Sequence, residues 1–217
     1  MRFQYFLFAA LLISTSTSAQ AQFDFEPGSY ILENNAHVRH VGFLKVGNKN
    51  LRVKAEAGRI LAYPWAEVRS YRIGNSRYVK ASGFTIKTTL AERIADHEFV
   101  QLLDSGAVSL MRYEYEFNGG TPGFGGAPGL GPSRRPSIYL LQRAGETGTS
   151  DIPYNMLDGA GKKFREAVSS FVGSRPDLVK VVEAKKVTIY NLETFIHAFN
   201  NHEPFLNYPM EKAHNIK

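Results

Sequence analysis

The chain contains no cysteine, so metal ligation and proton transfer would fall mainly to its six histidines and twenty carboxylates. His37 and His40, with Val38 and Arg39 between them, would share a face on a helix and point to opposite faces in extended chain. They lie between two strand-like runs with no third ligand near in sequence, so exposed loop histidines are expected here rather than a zinc site. Asp96-His97-Glu98 could supply a general base. On a strand, however, the neighbours Asp96 and His97 face apart, and catalytic pairing would need a group from another strand. His197 stands beside an apolar helical stripe and reads as a boundary residue of that helix.

The sequence frames of several common enzymes are missing. No G-x-S-x-G elbow occurs, nor H-E-x-x-H, nor an EF-hand acidic pattern. Gly161-Lys162-Lys163 is not a phosphate loop, because Met156 stands where the first glycine belongs and no Ser or Thr follows Lys162. The glycines of 118–136 do not form G-x-G-x-x-G and lack a following helix to hold phosphate. No metal or cofactor is therefore expected, and a non-catalytic role is favoured.

The elements that would position these residues follow from periodicity. Leu51, Val53 and Ala55 alternate with Arg52, Lys54 and Glu56, and Phe84 and Ile86 alternate with Thr85 and Lys87, the pattern of half-buried strands. Hairpin tips are expected at Gly47-Asn48-Lys49-Asn50, Ala57-Gly58, Gly74-Asn75-Ser76 and Asp104-Ser105-Gly106. Pro64-Trp65-Ala66-Glu67 predicts a short helical turn with Pro64 opening it. Met111, Tyr113, Tyr115 and Phe117 form an aromatic stripe opposite Arg112, Glu114 and Glu116, suited to packing against a neighbouring layer or to stacking a ligand. Eleven of the nineteen residues in 118–136 are Gly or Pro, which predicts a flexible loop displaying Arg134 and Arg135. Ser137–Arg143 resumes as strand.

From about Gly159 the period becomes helical. Phe164, Ala167, Val168 and Phe171 make one stripe, Leu178, Val181 and Val182 a second, and Leu192, Phe195, Ile196 and Phe199 a third. Ser174-Arg175-Pro176-Asp177 resembles a capping box for the second helix, and Asn191 can cap the third. Residues 204–217 are expected to be a loose tail.

The first 21 residues read as a secretory signal: Arg2, the apolar run Tyr5–Ile13, and the cleavage pattern Ala19-Gln20-Ala21. The run is too short to span a bilayer, and no later helix-forming stretch is apolar enough to do so. Export to the periplasm or the medium is expected, with no cysteine for a lipid anchor. Charge is uneven. Val38–Arg93 holds twelve Lys or Arg and three acids, whereas Ile94–Phe117 holds five acids and one base. Such a basic half can steer an anionic glycan, meet lipid headgroups or seat an envelope protein; no nucleic-acid module is recognisable.

The runs Phe25-Glu26-Pro27-Gly28-Ser29-Tyr30, Tyr71-Arg72-Ile73-Gly74, Phe99–Gly106 and Lys162-Lys163-Phe164-Arg165-Glu166-Ala167 resemble a group of exported, uncharacterised proteins of Bacteroidota. The resemblance implies a β-rich body with a short helical C-terminus and carries no activity. The expected fold is α+β: an antiparallel meander, curled toward a half-barrel, with two or three short C-terminal helices in a single domain over 22–203. The favoured role is binding or assembly, with contacts through Arg52, Lys54, Arg134 and Arg135. The alternatives are a small-ligand carrier lined by Tyr113, Tyr115 and Phe117, and a hydrolase centred on Asp96, His97 and Glu98.

Overall fold

A computed structural model describes residues 25–55, 58–87, 92–115, 137–154 and 159–206. The fold is α+β. Ten antiparallel strands form one open sheet, and three short helices follow at the C-terminal end. The strands are β1 (Glu26–Leu32), β2 (Arg39–Val46), β3 (Asn50–Lys54), β4 (Ile60–Pro64), β5 (Val68–Ile73), β6 (Ser76–Ala81), β7 (Thr85–Lys87), β8 (Glu92–Ile94), β9 (Glu98–Asp104), β10 (Val108–Glu114), β11 (Ser137–Arg143) and β12 (Ser150–Asp151). The helices are α1 (Lys162–Val172), α2 (Pro176–Glu183) and α3 (Leu192–Asn200). The large sheet runs β12-β11-β10-β9-β6-β5-β1-β2-β3-β4, and β7 and β8 pair separately. The order departs from a simple meander in two places: β5 returns to the far edge of β1, and β7–β8 is an excursion between β6 and β9.

The return of β5 requires the sheet to roll. Four inter-strand gaps separate β4 from β5, about 19 Å across a flat sheet. The connection from Pro64 to Val68 is a single 3-10 turn, Trp65–Glu67, and four Cα steps reach at most about 14 Å. Strands β5-β1-β2-β3-β4 therefore curl about an inner face. Tyr30, Leu44, Leu51, Val53, Val68 and Tyr71 are buried there. Trp65 caps this interior, its rings 5.7 Å from Tyr71 and 4.9 Å from Phe99, and its indole N–H donates to the Gly47 carbonyl at 3.2 Å. Pro64 precedes this turn rather than opening it.

The other half of the sheet is covered on both sides. The three helices bury Phe164, Val168, Leu178, Val182, Phe195 and Ile196 against Val108, Leu110 and Leu141. On the opposite face, Phe84, Ile86 and Ala95 of the β7–β8 hairpin region cover Val100, Met111 and Leu140. The helix stripes fall where their periodicity places them, but two caps differ. Arg175 takes the N-cap position of α2, so Ser174 does not form a capping box; Asp177 is held instead by two Arg175 guanidinium bonds of 2.9 and 2.6 Å. Asn191 precedes α3, but its side-chain oxygen accepts from the Thr188 N–H at 2.8 Å, serving the preceding turn in place of the helix. Among the described residues, no helix is long and apolar enough to cross a membrane.

Candidate anion-binding face

Alternation assigns each strand of the rolled unit an inward and an outward set. The outward set is Pro27, Ser29 and Ile31 on β1; Arg39, Val41, Phe43 and Lys45 on β2; Asn50, Arg52 and Lys54 on β3; Ile60, Ala62 and Pro64 on β4; Ser70 and Arg72 on β5; and Arg77 on β6. Six of these are cationic, and none is an acid. Register aligns them in rows. Val41, Ser29, Arg72 and Arg77 lie side by side across four strands, as do Pro27, Phe43, Lys54 and Ile60 across another four.

Within this face Arg39, Arg72 and Arg77 line a shallow depression with Ser29, Ile31 and Ser70. Ser70 is the one buried polar residue among those described. Three planar guanidinium groups and two hydroxyls can donate together to one tetrahedral or carboxylate anion, because guanidinium forks match such oxygens in pairs. The three arginines are also uncommitted among the described residues. Elsewhere Lys80 holds Glu33 at 2.7 Å, Arg93 holds Glu98 at 2.7 Å, Arg112 holds Glu114 at 3.1 Å and Arg175 holds Asp177 at 2.6 Å. No ion pair among the described residues engages Arg39, Arg52, Lys54, Arg72 or Arg77.

The residues singled out from sequence are spread over several environments. Arg52 and Lys54 lie on the cationic face and are exposed. Tyr113 packs edge-on to Phe84 at 5.3 Å and stacks on Tyr115 at 6.1 Å, so both rings join the layer under β7–β8. Burial, followed by the nearby Glu98 carboxylate, raises the Tyr113 phenol above its ordinary pKa. Phe117, Arg134 and Arg135, with the rest of 118–136, lie outside the described residues, as do 1–24 and 207–217. Phe205, at the start of the expected tail, packs edge-on to Phe195 at 5.2 Å.

Asp96 and His97 do not face apart. They occupy a turn in which His97 adopts φ 58°, and their side chains meet at 2.5 Å. The pair is solvated, at 70% exposure for His97 and 86% for Asp96, and Glu98 turns to Arg93. His40 stacks on Tyr30 at 5.0 Å, while His37 is exposed in the preceding turn. His197 does more than border its helix: it bonds Asp104 at 2.9 Å. The Asp104 carboxylate also accepts from the Ser105 N–H at 2.5 Å and from Asn200 at 3.3 Å, an arrangement that fastens α3 to the β9–β10 turn. Among the described residues no three metal-ligating side chains converge.

Sequence reasoning located the basic segment but missed the arginine depression. Its members come from β2, β5 and β6, and only the return of β5 beside β1 brings them together. Compared with known proteins, the chain matches no family model, no curated protein and no solved structure, so the chemistry of this outward face is what speaks to function.

Proposed function

We propose that this protein is an exported binding protein without a catalytic role, and that the outward face of β1–β6 captures anionic partners. One observation carries the reading: six outward cations without an intervening acid, three of them around a depression that two hydroxyls share. A charge set of this kind attracts polyanions over a Debye length of about 8 Å at physiological salt, and the guanidinium forks fix orientation at contact. Lys80, Arg93 and Arg175, by contrast, are each neutralised by a carboxylate of their own.

The test is retention of the protein on an immobilised polyuronate as salt is raised. Wild type is expected to elute progressively as the contacts are screened. Arg72→Glu with Arg77→Glu is expected to weaken binding about tenfold or more. A control pair on the helices, Lys163→Glu with Lys180→Glu, changes net charge equally and is expected to leave retention near wild type. Retention that ignores salt, or a control pair as damaging as the arginine pair, would discard the reading.

A further inference from the structure

Three outward residues do not belong on an ordinary solvated sheet face. Val41 is 80% exposed, Phe43 51% and Ile60 45%. They are not scattered. Phe43 and Ile60 flank Lys54 in one cross-strand row, and Val41 heads the row that continues through Ser29 to Arg72 and Arg77. Lys45 and Arg52 pair directly beside them. The inner face of the same strands is filled, so these side chains are not displaced core.

Resting on the anion-binding reading, we propose that the partner is the surface of an anionic phospholipid bilayer. Arg39, Arg72 and Arg77 would hold headgroup phosphate, while Val41, Phe43 and Ile60 enter the headgroup–acyl boundary. The two halves of the face fit the two layers of such a surface. Juxtamembrane cations gain from the negative potential of anionic headgroups, and apolar side chains between them gain from leaving water. An acidic glycan fits only one half. Its hydroxyls donate as well as accept, yet the described outward residues include no carboxylate to receive them, and two of the three exposed apolar groups are aliphatic and offer a sugar ring no aromatic plane.

The experiment is co-sedimentation of the protein, purified as its cell produces it, with three probes: phosphatidylcholine vesicles, phosphatidylcholine–phosphatidylglycerol vesicles, and a soluble polyuronate measured by titration. Wild type is expected to sediment with the anionic vesicles and not with phosphatidylcholine alone. Val41→Ser with Phe43→Ser is expected to cut vesicle binding about tenfold or more while polyuronate binding holds. Arg72→Glu with Arg77→Glu is expected to abolish both. Ile60→Ser, on a different strand, repeats the vesicle effect if the double variant misfolds. Vesicle binding unchanged in both apolar variants, or binding to polyuronate and never to vesicles, overturns the membrane proposal and leaves anion binding standing. Binding to neither anionic probe overturns both.

Discussion

Tyr71 sits in the most aromatic part of the molecule, its ring 4.7 Å from Tyr78, 5.2 Å from Phe99 and 5.7 Å from Trp65. Burial, and secondarily Tyr78, holds its phenol above the ordinary tyrosine pKa; burial and the hydrogen bond that the Tyr30 hydroxyl shares with Tyr63 do the same for Tyr30. A group whose folded pKa exceeds its unfolded value binds its proton more tightly in the native state. Its stabilisation is therefore complete below the unfolded value, about 10 for tyrosine, and drains away as pH rises toward the folded one. Alkaline unfolding is expected to begin above that point, with phenolate absorbance rising together with loss of structure. Tyr71→Phe is expected to keep neutral-pH stability within about 1 kcal/mol and to move the alkaline transition upward, read by circular dichroism against pH. Residue-scale roles were the least legible from sequence. The Asp96–His97 contact depends on a left-handed backbone at His97, which side-chain alternation does not encode.

At the scale of elements, α3 docks through a polar clasp as well as an apolar stripe. The Asn200 amide donates to the Val108 carbonyl at 2.8 Å, and its oxygen accepts from the Val108 N–H at 3.0 Å. The side chain thus reads β10 as a neighbouring strand would. Gly106 makes room for it, since a Cβ there would lie 2.6 Å from the Asn200 carboxamide carbon. Asn200→Ala strips both backbone groups of their partner and is expected to cost about 1–3 kcal/mol by denaturant titration. Gly106→Ala is expected to cost a similar amount by displacing the same amide. In the double variant the two losses are expected to fall short of their sum, because they remove one shared interaction. The helices themselves were legible: Phe164, Val168, Leu178, Val182, Phe195 and Ile196 are buried as their spacing requires. The clasp was not, because it joins residues 92 apart in sequence.

The whole molecule joins a rolled half to a helix-covered half through the β6–β9 ladder, five residue pairs from Arg77–Leu102 to Ala81–Glu98. Trp65 reinforces the junction by packing on Phe99 of β9. Unfolding in urea is therefore expected to give coincident transitions for Trp65 fluorescence, which reports the rolled half, and far-ultraviolet circular dichroism, which includes the helices. Phe164→Ala, deep under the helices, is expected to shift both curves together by about 3–5 kcal/mol; a shift confined to one would show two independent units. Period-two alternation and turn chemistry made the strands and tips legible, Gly74 at φ 54° among them. The pairing of β5 with β1 was not, since strand order is decided by which apolar faces meet. That pairing has one more effect. Long sheets invite chains to stack edge to edge, and this one has two ends to defend. At one end β12 is only two residues long, too short to template a neighbour. At the other, β4 is five residues long and ends on Pro64, which has no N–H to give a neighbouring strand, so this edge too is poorly suited to seeding fibrils.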